Sequence, residues 1–202
     1  MLSVRTICIF GILCIGASAT PAFAESCKER FIKAATEGNG EGEYRQIVTQ
    51  KIEGAPVDTV HEFIMTSHQH WLVKPIQPSG IGWTLLYDGA MYSSLDEGGS
   101  WKEITKFDEQ AAEAARAQQK SDVEAVIELD CGQDTIEGQV LDRVHGQYEV
   151  TVGFQSTQVH TYWIDPENKL IVRSEYQTIS PGFKSSVSQK MIAFEDAVVP
   201  VP

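Results

Sequence analysis

The sequence predicts a mainly β chain of the α+β class, a long antiparallel meander with two short helices. Runs of β-branched and aromatic residues with a period of two recur along most of its length. Gly, Pro, Asp and Asn clusters punctuate those runs at short intervals, and only the stretches after Ser26 and Asp108 break to a helical period. The 202 residues fit one domain at 25–202, and a hydrophobic fraction of 42% is that of an ordinary globular chain, which rules out wholesale disorder. With 16 Lys+Arg against 28 Asp+Glu the formal charge is −12, an acidic balance that argues against nucleic acid and disfavours an anionic membrane surface.

Residues 1–24 read as a cleaved signal peptide. Arg5 precedes an apolar run over 7–17, and Ala22-Phe23-Ala24 offers small residues at −3 and −1 for cleavage before Glu25. The run is short for a membrane span, which needs roughly 20 residues, and no later run reaches that length. Neither Cys14 nor Cys27 follows a good lipidation box. Cys8 and Cys14 leave with the signal, so Cys27 and Cys131 remain, and two thiols in an oxidising compartment most simply pair. The loop so closed is about 105 residues, for which chain entropy allows roughly 4–5 kcal/mol. There is no Cys-x-x-Cys to suggest redox catalysis.

From the start of 25–202, Ser26-Cys27-Lys28-Glu29 has the form of a capping box. Cys27, Phe31, Ala34 and Ala35 then follow at helical spacing until Gly38-Asn39-Gly40. Strands are expected over 44–52, 59–66, 68–74 and 82–87, and Asp88-Gly89 turns the chain back along 91–95. A helix is expected over 108–120. Its apolar side is almost entirely alanine (Ala111, Ala112, Ala114, Ala115, Ala117), so it buries little area per turn and forms a weakly held lid. Strands resume over 123–131, 145–152, 158–164, 170–176 and 185–194, with Asp165-Pro166-Glu167-Asn168 as a turn, giving about nine or ten strands in all. The prolines of the 198–202 tail cannot donate to a ladder, which leaves it as an edge or a loop.

Ser94-Leu95-Asp96-Glu97-Gly98-Gly99-Ser100-Trp101 matches the Asp-box pattern. Ser94, Asp96, Gly98 and Trp101 would build a hairpin: the carboxylate accepts turn N–H groups, the glycine takes positive φ and the indole anchors the returning strand. That role is structural, with no chemistry attached. The pairs Glu41/Glu43 and Asp108/Glu109 read as solvated residues of turns and a helix start. No nucleophile elbow, dinucleotide fingerprint, phosphate loop or His-Glu-x-x-His is present, so neither enzyme activity nor a cofactor is expected. His68 and His70 share a strand face, with His61 on the preceding strand, and a transition metal held by the three is an alternative reading. The aromatics Phe63, Trp71, Trp83, Trp101, Tyr148 and Trp163 are spread over different strands. One sheet face that gathers them forms either a filled core or an apolar cavity. The cavity candidates are Phe63, Trp71, Trp83, Tyr148, Val150 and Trp163.

Two stretches carry a resemblance. One is the Tyr-Asp-Gly-x-Met-Tyr…Gly-Gly-Ser-Trp-Lys hairpin from Tyr87 to Lys102. The other is Trp163-Ile164-Asp165 through Arg173, which stands where such proteins have Trp-Ile-Asp-x-x-Thr-Gly-Leu-Pro-x-Arg. With the signal peptide, the first helix and the order of elements, the chain resembles the LolA-like periplasmic lipoprotein-carrier superfamily, including its secreted members. It departs from the second motif where Asn168-Lys169 replaces Thr-Gly and Ile171 replaces Pro. The resemblance implies a curved antiparallel sheet forming a half-open barrel covered by helices, placed in the periplasm. It further implies a non-enzymatic role in which the cavity takes a lipid or the acyl chain of a lipoprotein partner. A protein-interaction module with a filled core is the other alternative.

Overall fold

The computed structural model describes residues 25–40, 42–194 and 197–202. The expected signal peptide with Cys8 and Cys14, and Glu41 of the Glu41/Glu43 pair, lie outside the described residues. Helix α1 spans Cys27–Glu37 and starts as its sequence predicts. The Ser26 hydroxyl accepts the Glu29 N–H, and the Glu29 carboxylate accepts the Ser26 N–H at 2.7 Å. Gly38 ends it at φ +58°. Six strands follow: β1 Tyr44–Ile52, β2 Thr59–Ser67, β3 His70–Gln77, β4 Trp83–Tyr87, β5 Ala90–Ser94 and β6 Lys102–Lys106. Helix α2, Glu109–Glu124, leads to β7 Asp130–Ile136, β8 Gln139–Val150, β9 Ser156–Ile164, β10 Ile171–Ser180 and β11 Phe183–Ala193.

All eleven strands form one antiparallel sheet in the order β6-β5-β4-β3-β2-β1-β11-β10-β9-β8-β7. Two meanders are thus zipped together where β1 pairs with β11, from Arg45 opposite Ala193 to Ile52 opposite Ser185. The sheet is curved and does not close, and β6 and β7 are its free edges. Helix α2 joins those two edges. It is about 24 Å long, whereas the edges of a flat sheet of this width would lie about 48 Å apart, so the connection accords with the curvature. The result is a half-open barrel with two helices.

The pairing registers assign every side chain to one of two faces. Phe31 and Ala34 of α1, Val123 of α2, and Val144, Tyr148 and Tyr162 of the sheet form one core, on what is here termed the helical face. The α1 helix comes so close to β8 that a Cβ on Gly146 would lie 2.7 Å from the Phe31 ring, so only glycine fits there. A second core lies on the opposite face. Ile64, Leu72 and Leu85 are covered by Ala197 and Val199 of the C-terminal tail, with Trp83, Tyr87, Tyr92 and Trp101 around them. The tail is held there by the His70 Nε2 contact with the Pro200 carbonyl oxygen at 2.9 Å.

Several expectations need correction. The 123–131 strand does not exist as such. Val123 sits fully buried in the last turn of α2, which runs on past Lys120 with Gln118 donating to the Asp122 carboxylate at 2.9 Å, and β7 begins only at Asp130. Strand β8 begins at Gln139 instead of residue 145, and β6 was not anticipated because all five of its residues are exposed and show no alternation. The count is eleven strands rather than nine or ten. The alanine lid is also different from its reading. Ala111, Ala114, Ala115 and Ala117 remain exposed, and α2 buries only Asp122 and Val123. Alanine offers too little apolar area to draw the first turns of the helix down onto the sheet.

Candidate functional site

The two cores cover the sheet diagonally. The helices make their main sheet contacts with β8, and the tail packs on the opposite face of β2–β4. The helical face of β1–β5 therefore carries apolar side chains away from the main helix contacts. Register places Tyr44 opposite Met65, Phe63 opposite Val73, Met65 opposite Trp71, Trp71 opposite Leu86 and Leu86 opposite Met91, so all of these share the helical face. The rings form a continuous run, Tyr44 to Phe63 at 6.0 Å and Phe63 to Trp71 at 5.7 Å between centroids. Each of the three is only half-buried.

At the inner end of this run the floor deepens into a cleft of about 280 Å³ lined by Tyr44, Val48, His61, Phe63, Tyr176 and Gln189. Gly38 and Asn39, at the end of α1, overhang it. Asn39 is pinned there by a reciprocal pair of hydrogen bonds, its amide donating to the Ile171 carbonyl at 3.0 Å and its Oδ1 accepting the Ile171 N–H at 2.6 Å. Gln189 Oε1 accepts from the Ser174 and Tyr176 hydroxyls at 3.0 and 3.3 Å. Burial drives the His61 imidazole pKa down and the Tyr44 and Tyr176 hydroxyls up, the Tyr44 shift reinforced by Tyr176. All three are neutral near pH 7, and the cleft lining is mixed, apolar at Val48, Phe63, Ile171 and Met191 and polar at Asn39, Gln46, Ser174 and Gln189, with Arg173 also at its wall.

The structure divides the residues that the sequence singled out. Phe63 and Trp71 lie together in the run. Tyr148 and Val150 share the same face but sit at its helical end, where with Val152 they floor a cleft of about 540 Å³ beneath Ala114, Ala115 and Gln118 of α2. Trp83 and Trp163 are on the opposite face. Trp83 lies in the tail-covered core with the Lys74 ammonium 4.8 Å from its ring. Trp163 donates from Nε1 to Asp134 at 2.8 Å, beneath the Arg173 guanidinium. Nor do the three histidines of the metal alternative meet. His61 is on the helical face, His68 is exposed in the β2–β3 turn and His70 is on the opposite face against the tail. Among the described residues no three His, Cys, Asp or Glu side chains group to hold a metal.

Asp96 has the turn-building geometry expected of it. Its carboxylate accepts the Ser94 and Ser100 hydroxyls, both at 2.7 Å, and the Ser100 N–H at 2.8 Å. Those hydrogen bonds, Ser100 first, hold its pKa at about 2. Gly98 takes φ +92° and Trp101 packs on the second core. Cys27 and Cys131 form a disulfide that ties the first turn of α1 to β7.

Sequence reasoning missed two groups. Tyr44 and Tyr176 carry the signal that would have found them, since each alternates in step with buried neighbours on its strand. The other is His160, opposite Tyr176 in the register and ringed by Tyr176, Tyr148, Tyr162 and Phe31 at centroid distances of 4.6, 5.1, 6.0 and 6.5 Å. Its Nδ1 meets the Tyr162 hydroxyl at 2.9 Å, and burial lowers its pKa to about 4. This assembly is buried core, placed between the two clefts.

No family model matches the sequence, and no curated protein matches it. Solved structures do match the fold. A LolA superfamily protein from Nitrosomonas europaea aligns at 8% identity over 86% of this chain and 95% of its own, with a TM-score of 0.44. A DUF1329 family protein from Desulfovibrio piger aligns at 11% identity over 81% and 90%, TM-score 0.33. A putative outer membrane lipoprotein-sorting protein domain from Vibrio parahaemolyticus aligns at 10% identity over 81% and 91%, TM-score 0.31. The likeness is one of fold.

Proposed function

We propose that this protein is a periplasmic, non-enzymatic carrier that holds a hydrophobic ligand, an acyl chain of a lipid or of a lipoprotein partner, on the helical face of β1–β3. The observation that carries the reading is the half-buried run Tyr44–Phe63–Trp71, which leads into the cleft beside Tyr176 while the helices pack elsewhere. A cleft of about 280 Å³ is at the small end for a ligand site, so the remainder of a chain lies along the ring run outside it. Each CH₂ removed from water contributes about 0.8 kcal/mol, enough for one chain to bind usefully to a surface already formed. The Cys27–Cys131 disulfide suits an oxidising compartment.

The test is displacement of a fluorescent fatty acid from the purified protein, with native mass spectrometry of protein taken from its own envelope. Trp71→Ala, which removes the end of the run, is expected to weaken binding about tenfold, equivalent to about 1.4 kcal/mol, while Trp163→Ala on the opposite face leaves it unchanged. Equal loss from both variants, or protein that is always empty and ignores fatty acids, refutes the reading.

A further inference from the structure

Beside the ligand cleft lies another, of about 380 Å³, whose walls are charged. Its floor is apolar, Ala34 of α1 with Ile164 of β9 and Ile171 of β10. Around that floor stand three cations, Arg30 and Lys33 on α1 and Lys169 in the turn between β9 and β10. Two carboxylates, Glu25 and Asp142, stand there with them. In a chain whose formal charge is −12, a cleft in which cations outnumber carboxylates runs against the composition.

The cations are positioned without being used up. Arg30 pairs with Asp142 at 3.1 Å, which leaves other N–H donors of its guanidinium unspent. Lys33 and Lys169 are exposed, and among the described residues neither is paired with a carboxylate. Lys169 holds φ +64°, a left-handed conformation that glycine adopts freely and lysine does not, so the turn keeps a strained backbone where it presents this cation. Helical side chains lean toward the N-terminus, so Arg30 and Lys33 stand away from the carbonyl end of α1 at Gly38, whose partial negative charge would oppose an anion.

Gly38 and Ile171 line both clefts, which therefore meet at the sill where Asn39 bonds Ile171. Gly38 puts no side chain on that sill, and a Cβ built on it would meet nothing within 4 Å. From this continuity we propose that the charged cleft is a headgroup subsite and the ligand an anionic amphiphile. Its phosphate or carboxylate is held by Arg30, Lys33 and Lys169, while its apolar chain crosses Gly38 toward Tyr44, Phe63 and Trp71. The inference rests on the carrier reading above and narrows it to a class of ligand. Lys and Arg give an anionic head charge-assisted hydrogen bonds that an uncharged head cannot form, and the Ala34, Ile164 and Ile171 floor meets the first carbons of the chain. Arg173 also touches the chain cleft, but its guanidinium stacks over Trp163 and pairs with Glu175 at 2.8 Å.

Calorimetric titration with palmitate, palmitoyl lysophosphatidate and monopalmitoylglycerol, each below its micelle concentration, tests this with one chain and three heads. At low ionic strength the parent should bind at least one of the anions about tenfold more tightly than the glycerol ester, a gap that salt narrows. Whichever anion binds more tightly identifies the head as carboxylate or phosphate. Lys33→Gln/Lys169→Gln should weaken the preferred anion about tenfold, bringing it level with the glycerol ester, at an unchanged melting temperature because both lysines are exposed. Lys51→Gln/Lys184→Gln, the same change of charge at exposed sites elsewhere, should leave the preference intact. Trp71→Ala should weaken all three lipids alike. A glycerol ester that binds the parent as tightly as the anions, a preference that survives Lys33→Gln/Lys169→Gln, or equal loss from both lysine pairs overturns the headgroup subsite and leaves the carrier reading standing. Protein that binds none of the three defeats the carrier reading itself, and this inference with it.

Discussion

His160 is the residue at which protonation and packing meet most directly. Its ring lies among three tyrosines and Phe31, and burial lowers its pKa from 6.5 to about 4. A histidine whose folded pKa lies below its unfolded value binds its proton more readily when unfolded. Stability from this group is complete above about pH 6.5 and falls away as the pH drops toward 4. The full shift corresponds to about 3 kcal/mol. Urea unfolding at pH 7, 5 and 4 should show that loss, and His160→Gln should flatten the profile over the same window. A parent whose stability is flat between pH 7 and 4 contradicts the assignment. Nothing around His160 in the sequence marked it as buried. Gln158, His160 and Tyr162 alternate as polar and aromatic residues do on a wet strand, and it took both neighbouring strands and α1 to make that position dry.

Among the elements, α2 is the least anchored. Asp108 caps its start by accepting the Gln110 and Ala111 N–H groups, but its burial is confined to Asp122 and Val123 in the last turn. Helix stability in proteins comes mainly from packing an apolar face, and the first three turns pack almost none. Hydrogen exchange should therefore be at least tenfold faster at amides 113–119 than at 121–124, with α1 protected throughout. Uniform protection along α2 would mean a covering that its alanines do not supply. The start of α2 and all of α1 were legible because capping is local: Ser26, Glu29, Asp108 and Gly38 act on backbone groups within four residues. The end of α2 was not, because Val123, Val126 and Ile127 carry the β-branched character of a strand while the burial of Val123 in the core favours continued helix. Strand β6 escaped for the converse reason. With neither face covered, nothing imposes an alternation on it.

At the scale of the whole molecule, one sheet is stabilised by two cores on opposite faces, and the chain ends are what complete them. The N-terminal helix is tied down by the disulfide across 104 residues, and the last residues cover Ile64, Leu72 and Leu85. Cys27→Ser/Cys131→Ser should lower stability by up to roughly 4–5 kcal/mol, measured by denaturant unfolding against the oxidised parent. A change below about 1 kcal/mol would show that the helix is held by Phe31 and Ala34 alone. The same architecture explains why a list of aromatic residues was a poor guide to the site. Phe63 and Trp71 are two of the six aromatics that the sequence singled out, and their faces were decided by the pairing registers of the sheet.

Composition, capping residues, the Asp88-Gly89 and Asp96 turns and the pairing of two cysteines all follow from interactions within a few residues or from counting, and these were readable from the chain itself. Which face each strand turns to the helices and where the tail settles depend on pairings such as β1 with β11, more than a hundred residues apart. A period-two pattern tells that a strand has two faces but holds no information on what will lie against either one; that is fixed only when the sheet has assembled.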